Sequence, residues 1–251
     1  MLTKVKTAQE LDAMRKSGHI LAQVLALLKK ELQPGMTTKD LSTIAKQELK
    51  KLGGKPAFLG YYGFPDVLCV SVNDEVVHGI PSAQKGIEDG DIVSMDFGVI
   101  VDGMITDAAI SVIAGTSKDA RVQRLLKQTE RALQEGIAAV KNGCKVGDIG
   151  AAVERVLDKE HYGIVRDLVG HGVGHELHEE PNIPNYGHAG TGQLLKSGMT
   201  IAIEPMATLG THKVYADSDG WTIKTKDESW SAHFEHTILV TQDGAEILTS
   251  L

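Results

Sequence analysis

The sequence predicts an α+β fold in which two related halves each contain a pair of helices followed by strands. Three observations support this prediction. Apolar residues recur at helical spacing in two separate parts of the chain, a fixed offset of 108 residues aligns these parts, and acidic residues stand in strand-like segments of both. We expect a single domain over residues 1–251, with halves at roughly 1–114 and 115–251.

The first half begins with two predicted helices. Residues 7–32 carry apolar residues at steps of three and four, and Thr7 and Glu10 have the spacing of a capping box. The turn QPGM ends this helix. A second helix is expected from about Thr38, with Gly53-Gly54 as its stop.

The same plan recurs from about residue 116. Thr116 and Asp119 resemble a helix start, and a long helix is expected to run from there to Asn142-Gly143. A shorter helix follows from Asp148. The second half therefore repeats the helix pair of the first.

The offset of 108 residues makes this repetition specific. It aligns PGMTTKDLSTIAKQEL with NGCKVGDIGAAVERVL, and GDIVSMDFG with GMTIAIEPM. The second alignment places Asp96 on Glu204, in segments whose apolar residues alternate as in strands. One acidic residue from each half is therefore expected to meet at a pseudo-two-fold axis.

The segment DIVSMDFGVIVDGMITDAAISVIAG predicts a hairpin that turns at Asp102-Gly103. With those two residues at the turn, Asp107 lies opposite Gly98 and Asp96 lies opposite Ala109. Both aspartates then point to one face of the hairpin as a diagonal pair.

Two buried carboxylates this close together require a counter-ion. The flanking residues of Asp96 and Asp107 include no Lys or Arg. Two divalent metal ions bridged by carboxylates would supply the positive charge and activate a water molecule. The alternative is a solvated acidic hairpin without metal.

The stretch GHGVGHELHEEP is rich in histidine and glutamate but lacks the H-E-x-x-H order of a helical zinc site. Its glycines disfavour a helix through His171, so we expect a glycine-rich turn with exposed ring nitrogens. Glu204 in AIEPM and Glu235 in AHFEHT supply further acids in apolar settings. Mixed oxygen and nitrogen ligands favour Mn, Fe, Co or Zn over Mg or Ca.

Composition excludes several classes of function. The net charge of −7 comes from interspersed acidic and basic residues, so neither nucleic acid nor an anionic membrane surface is an expected partner. No run approaches the ~20 apolar residues of a membrane span, and the N-terminal residues lack the apolar core of a secretory signal. The two separate cysteines, Cys69 and Cys144, suit a reducing compartment. We expect a cytoplasmic monomer.

Eight segments occur in the order and spacing of one known family: VNDEVVHGIP, SMDFG, ITDAA, GHGVG, LHEEP, AIEPM, GWTIKTKD and FEHTILVT. The chain thereby resembles the type I methionine aminopeptidases, which have the pita-bread fold. This resemblance implies a curved antiparallel sheet with a central dinuclear metal site. It implies two divalent ions, of uncertain identity, bound by Asp96, Asp107, His171, Glu204 and Glu235.

The resemblance also implies roles in catalysis and substrate binding. Glu204 would be general base as well as ligand, His78 would contact the substrate amide or leaving group, and His178 would donate to the scissile carbonyl. His175 is expected at the surface. The slot for the methionine side chain would be lined by Tyr61, Phe64, Cys69, Leu177 and Trp221, and His78 and His178 are the other residues expected to bind the substrate.

The expected reaction is removal of the initiator methionine from nascent proteins and peptides that have a small second residue. One position departs from the family, because Phe58 stands where members commonly have a small residue such as Cys. Two alternatives remain open: cleavage of X-Pro bonds by an enzyme of the same fold, and a non-catalytic binding protein of that fold.

Overall fold

The structure is a computed structural model that describes residues 3–251. Its α-helices lie in two pairs along the chain: α1 (Ala8–Glu31), α2 (Thr38–Leu52), α3 (Ala120–Ala138) and α4 (Val146–Lys159). The strands of the first half are β1 (Lys55–Pro56), β2 (Cys69–Val72), β3 (Glu75–Val77), β4 (Ile92–Val101) and β5 (Met104–Ile113). Those of the second half are β6 (Gly163–Ile164), β7 (Gly170–Gly172), β8 (Glu179–Ile183), β9 (Thr200–Ile203), β10 (Met206–Thr208), β11 (Val214–Ala216), β12 (Ile223–Thr225), β13 (Ser231–His233), β14 (Glu235–Val240) and β15 (Ala245–Ile247).

The helices of the first pair begin and end where the sequence predicts. Thr7 caps α1, and the Glu10 side chain accepts the Thr7 N–H at 2.7 Å, which completes the predicted capping box. Gly53 ends α2 in the left-handed conformation, as expected of a glycine after the last helical residue.

The bounds predicted for the second pair need correction. The third helix ends at Ala138, because the N–H groups of Ala139 and Val140 bond to carbonyls three residues back and tighten the chain. The fourth begins at Val146, ahead of Asp148, whose carboxylate accepts the N–H of Lys145 at 2.8 Å. Asp148 is the third residue of this helix, so it caps the first turn and does not mark the start.

The predicted duplication is visible in the hydrogen bonds around these helices. The bridge between Thr37 and Gly86 recurs 108 positions later between Lys145 and Leu194. The capping contact of Lys145 likewise repeats that of Thr37, whose N–H is accepted by Asp40 at 2.8 Å. The same local structure was therefore built twice.

A nine-stranded antiparallel sheet in the described residues joins the two halves, with central strand order β1-β4-β5-β14-β9-β7-β8. The halves meet where β5 pairs with β14. Helix α1 packs on one face of β4 and β5, where the Ser17 hydroxyl donates to the Val99 carbonyl at 2.8 Å. The other face of these strands is left for the site.

Strand alternation separates the core from the site. In β4, Met95 and Phe97 are fully buried beneath the first helix pair, whereas Asp96 and Gly98 point the opposite way. A second core cluster lies under α3 and α4 and includes Leu133, as expected for amphipathic helices that cover a sheet. Within residues 3–251, none of the helices is both long and apolar enough to cross a membrane.

Candidate metal centre

The hairpin of β4 and β5 presents two carboxylates to the face opposite α1. Asp96 pairs with Ala109 and Gly98 with Asp107, which confirms the register predicted from a turn at Asp102-Gly103. Both turn residues have positive φ, as a two-residue hairpin turn requires. The two carboxyl groups are close enough to interact, because the pKa of Asp96 is raised by its burial and also by the charge of Asp107.

Strand β14 adds the first acid from the second half. Glu235 stands opposite Ala109, so it lies in one row with Asp96 across three adjacent strands. The Thr237 hydroxyl accepts the N–H of Asp107 at 2.9 Å and donates to its carbonyl at 2.8 Å. This double contact fixes β14 against β5 at the level of the aspartates.

Strands β7 and β9 supply the histidine and the last acid. His171 pairs with Ala202, and Glu204 follows two positions later, directly after the end of β9. The His171 Nε2 lies 3.4 Å from Oε1 of Glu204. Ala109, which lies between Asp96 and Glu235 in their row, has a small side chain that leaves space above the sheet for a bound ion.

The prediction that His171 lies in a turn with exposed ring nitrogens is wrong. The residue lies in a strand and is 5 % exposed, and its Nδ1 is 2.9 Å from the Gly172 carbonyl. As a donor to that carbonyl, Nδ1 leaves Nε2 free to act as a ligand. The glycines allow close strand contact, because a Cβ on Gly170 would come within 2.4 Å of the Ala202 oxygen.

The buried acids lack enough partners of their own. One oxygen each of Asp96, Asp107 and Glu235 has no hydrogen-bond partner within residues 3–251. Burial raises the pKa of Asp107 to about 7. Burial, with the added charge of Asp107, raises the pKa values of Asp96, Glu204 and Glu235 well above their usual range.

This donor set fits divalent metal ions. Burial lowers the pKa of His171 to about 3, so its ring is neutral and able to coordinate. Ligand atoms of Asp107, His171 and Glu235 lie within 4.8 Å of one another. A cation among these groups would let the carboxylates ionise, which burial alone opposes.

The acids line a cavity of about 90 Å³. Every residue predicted for the site lines this cavity. Phe58, where the sequence departs from the family, lines it too. Its lining residues are Phe58, Tyr61, Phe64, Cys69, His78, Asp96, Asp107, His171, Leu177, His178, Glu204, Trp221 and Glu235.

The family model of metallopeptidase family M24 matches residues 12–242. A methionine aminopeptidase of Aquifex aeolicus is 44% identical over 259 residues, with 100% of both chains covered. Methionine aminopeptidase 1 of Bacillus subtilis is 44% identical over 244 residues, covering 97% of this chain and 98% of the relative. This chain belongs to the methionine aminopeptidases of that metallopeptidase family.

Solved structures agree with this assignment to the family. A methionine aminopeptidase from Thermotoga maritima superimposes with a TM-score of 0.98 at 45% identity and covers 100% of each chain. A prolidase from Pyrococcus furiosus shares the fold, with a TM-score of 0.79 at 23% identity, but this chain covers only 65% of it. The resemblance and the pita-bread fold class predicted from the sequence are thus confirmed.

The two histidines that are predicted to contact the substrate, His78 and His178, line the cavity of this metallopeptidase. His178 lies at the mouth, where its Nδ1 is 2.8 Å from the Tyr61 hydroxyl and its ring centroid is 4.3 Å from that of His171. His78 has a φ of +60°, an uncommon conformation for histidine that often marks a functional site. Burial, followed by the charge of His178, lowers the pKa of His78 to about 4.

The apolar side of the cavity is formed by aromatic rings. Phe64 makes edge contacts with Trp221, at a centroid distance of 5.1 Å, and with Phe58, at 6.5 Å. Phe58 packs over Gly98, where a Cβ would come within 2.7 Å of its ring. Phe58 is therefore part of the wall of the slot, and the glycine provides the space for its larger ring.

The loop that carries His178 is anchored by a buried ion pair. Lys6 Nζ lies 3.2 Å from Glu179, whose other oxygen accepts the N–H groups of His175 and Glu176. The His175 ring points away from the cavity and contacts Glu10 at 2.7 Å. The expectation of a surface histidine at 175 agrees with this position.

Sequence reasoning missed His233, which is 1 % exposed and lies beside the acids. Its Nε2 is 3.8 Å from Oε2 of Glu204 and 4.0 Å from Oε2 of Glu235. The signal was present in AHFEHT, because residues 233 and 235 are two positions apart in extended chain.

Proposed function

We propose that this metallopeptidase removes the N-terminal methionine from peptides and nascent proteins that have a small second residue. The observation that carries the proposal is one cavity with two contrasting sides. Acids and a neutral imidazole form one side, and aromatic rings form the other. A methionine side chain can occupy the apolar side while its own amide bond lies at the acids.

The ligands proposed for the metal ions are Asp96, Asp107, His171, Glu204 and Glu235. Four carboxylates and one imidazole suit two divalent ions, and we propose Mn, Fe, Co or Zn. When bound, such ions polarise the scissile carbonyl and lower the pKa of a bound water. The unpartnered carboxylate oxygens support this assignment.

Glu204 is the proposed general base. Its side chain is 13% accessible, whereas Asp96, Asp107 and Glu235, which also line the cavity, are buried. Glu204 can therefore accept a proton from the attacking water more readily than the other three carboxylates. Burial raises the pKa of Glu204, which favours its holding that proton until it passes to the leaving amine.

Two histidines are proposed to bind the reacting amide. His178 is held by the Tyr61 hydroxyl at the cavity mouth, so its other nitrogen can donate to the carbonyl oxygen of the scissile bond. His78, which also lines the cavity, is proposed to contact the amide nitrogen. Burial lowers the pKa values of both rings, which keeps them neutral near pH 7. Each can then donate one hydrogen bond without adding charge to the centre.

Methionine selectivity is proposed to come from the aromatic side of the cavity. The rings of Tyr61, Phe64 and Trp221 with Leu177 provide contacts that favour a polarizable thioether. Cys69 is buried beside Asp96, and burial raises the pKa of its thiol, so it serves as an apolar wall and not as a nucleophile.

We further propose that the enzyme acts as a cytoplasmic monomer. One chain supplies all five proposed metal ligands and the proposed substrate-binding residues, which supports activity without a second subunit. Nascent polypeptides emerge in the cytoplasm, so the proposed substrate is found there. Size-exclusion chromatography with light scattering would measure the mass, and activity that required a dimer would contradict the proposal.

Mass spectrometry of three peptides tests the proposed function. Met-Ala-Ser, Leu-Ala-Ser and Ala-Pro-Ser would be incubated with chelator-treated enzyme and then with added Mn, Co, Fe or Zn. We expect free methionine from the first peptide alone, and only after metal is returned. Preferred cleavage of Ala-Pro-Ser would favour X-Pro specificity, and no cleavage of any peptide would favour a binding protein.

A further inference from the structure

His233 is a buried side chain without a partner, and this makes it unusual in the described part of the chain. Neither ring nitrogen has a hydrogen bond in residues 3–251, although the residue is only 1 % exposed. A buried polar group in this state is unfavourable, so its position calls for a specific explanation.

The main-chain N–H and carbonyl of His233 are both hydrogen bonded, whereas its ring nitrogens have no such bond within the described residues. The Ser111 hydroxyl accepts the N–H of His233 at 2.8 Å and donates to its carbonyl at 2.8 Å. The Ser94 hydroxyl, 2.7 Å from that of Ser111, completes the arrangement as a donor. Ser111 lies on β5, the strand that carries Asp107, so the main chain of His233 is fixed relative to the metal centre.

The ring is aimed at two of the proposed ligands. Its Nε2 lies 3.8 Å from Oε2 of Glu204 and 4.0 Å from Oε2 of Glu235. These distances exceed a hydrogen bond, which spans 2.7–3.2 Å between nitrogen and oxygen. Bonds at catalytic groups often shorten only when the working complex forms. A small rotation of either carboxylate would bring an oxygen within reach of Nε2.

We propose that His233 is a positioning residue that donates its Nε2–H to the carboxylates of Glu204 and Glu235 and orients them to hold metal. The inference rests on the proposed function of these acids as ligands. Carboxylate ligands commonly need a hydrogen bond of this kind, and its loss weakens metal binding by about 10–100-fold. His233 lies beside the group of Asp107, His171 and Glu235, whose ligand atoms converge within 4.8 Å. His233 therefore affects the bound metal through the carboxylates of Glu204 and Glu235, without binding the metal itself.

Three substitutions separate this role from the alternatives. Leucine fills similar space but donates nothing. Glutamine carries an amide N–H at about the reach of the histidine Nε2, and asparagine reaches only about as far as Nδ1. We therefore expect His233→Leu and His233→Asn to lose affinity for Mn²⁺ by about 10–100-fold, and His233→Gln to stay within about threefold of the unaltered chain.

Isothermal titration of chelator-treated protein with Mn²⁺ would measure these affinities, and circular dichroism would confirm folding. The matched control is His236→Gln, because that neighbouring ring contacts Thr249 at 2.9 Å and leaves the centre unchanged. Wild-type affinity in both the leucine and asparagine variants would show a purely space-filling role and overturn the proposal. Equal loss in the glutamine variant would show direct metal ligation and overturn it too.

Turnover of Met-Ala-Ser at saturating Mn²⁺ gives a second readout. We expect the leucine and asparagine variants to lose kcat while KM stays near that of the unaltered chain, because Glu204 is misoriented and the methionine slot is intact. The two proposals fail separately. An unaltered chain that binds Mn²⁺ but releases no methionine would contradict the proposed function alone, whereas unchanged affinity in the variants would contradict only the role of His233.

Discussion

Without metal, the enzyme should become less stable as pH rises. The contribution of Asp107 to this effect can be measured by comparison with an Asp107→Asn variant. Burial raises its pKa from the usual 3.8 to about 7 in the metal-free fold. Between these values the unfolded chain binds fewer protons than the folded one. The free energy of unfolding therefore decreases with increasing pH through this window.

The size of the effect follows from the pKa difference. Each unit is worth about 1.4 kcal/mol, so the carboxyl group of Asp107 contributes a loss of about 3 kcal/mol between pH 5 and pH 8. The pKa of Asp96 is raised by burial and also by the charge of Asp107, so the measured loss includes both acids. Added Mn²⁺ should reverse the trend, because deprotonated ligands bind metal more tightly.

Urea unfolding of chelator-treated protein at several pH values would measure this loss. Buried histidines such as His171 have lowered pKa values and give the opposite slope below about pH 6.5. The histidines titrate in both the unaltered chain and the Asp107→Asn variant. Their contribution to the pH dependence of stability therefore cancels when the two proteins are compared. We expect the unaltered chain to lose stability relative to the variant as pH rises. A difference that stays constant from pH 5 to 8 would refute the reasoning.

Three further outcomes are expected. Glu204→Gln removes the proposed base, so kcat for Met-Ala-Ser should fall on the order of 10²-fold or more with the fold retained, and turnover near that of the unaltered enzyme would contradict the assigned role. Gly172→Ala places a Cβ 2.6 Å from a main-chain oxygen and should cost about 1–3 kcal/mol by thermal unfolding. Gly86→Ala, which meets nothing within 4 Å, is its control, and equal melting temperatures would show that the close approach is unimportant. Lys6→Met leaves a buried carboxylate unpaired and should cost about 3–5 kcal/mol in urea unfolding. Lys51→Met, at an exposed ion pair, should change stability by less than about 1 kcal/mol, and similar losses in both variants would contradict the importance of burial.

Local features of the site could be predicted because they depend on residues close together in the chain. Asp102-Gly103 fixes a two-residue turn, and that turn sets which residues of β4 and β5 face each other. Counting residues outward from the turn along both strands shows that Asp96 and Asp107 lie on the same face. Caps such as Thr7 with Glu10 are equally local.

Contacts between distant segments could not be predicted in the same way. His171 was expected in a turn because its glycines disfavour a helix, but they also allow a strand to pack closely against its neighbours. His233 was overlooked because its approach to Glu204 depends on how β13 and β9 are placed around the cavity. The close strand packing at His171 and the approach of His233 to Glu204 leave no local pattern, although the spacing of residues 233 and 235 does.

The sequence by itself determined the helix pairs, the hairpin register and the types of side chain able to hold metal, because capping, turns and alternation are short-range properties. Only the tertiary structure decided which of these side chains are deprived of water and of partners. Lys6 and Glu179, for example, are 173 positions apart and become a buried ion pair only when the N-terminal segment packs against the loop that carries His178. Burial depends on the whole fold, and together with repulsion between neighbouring carboxylates it gives the acids of this site their raised pKa values.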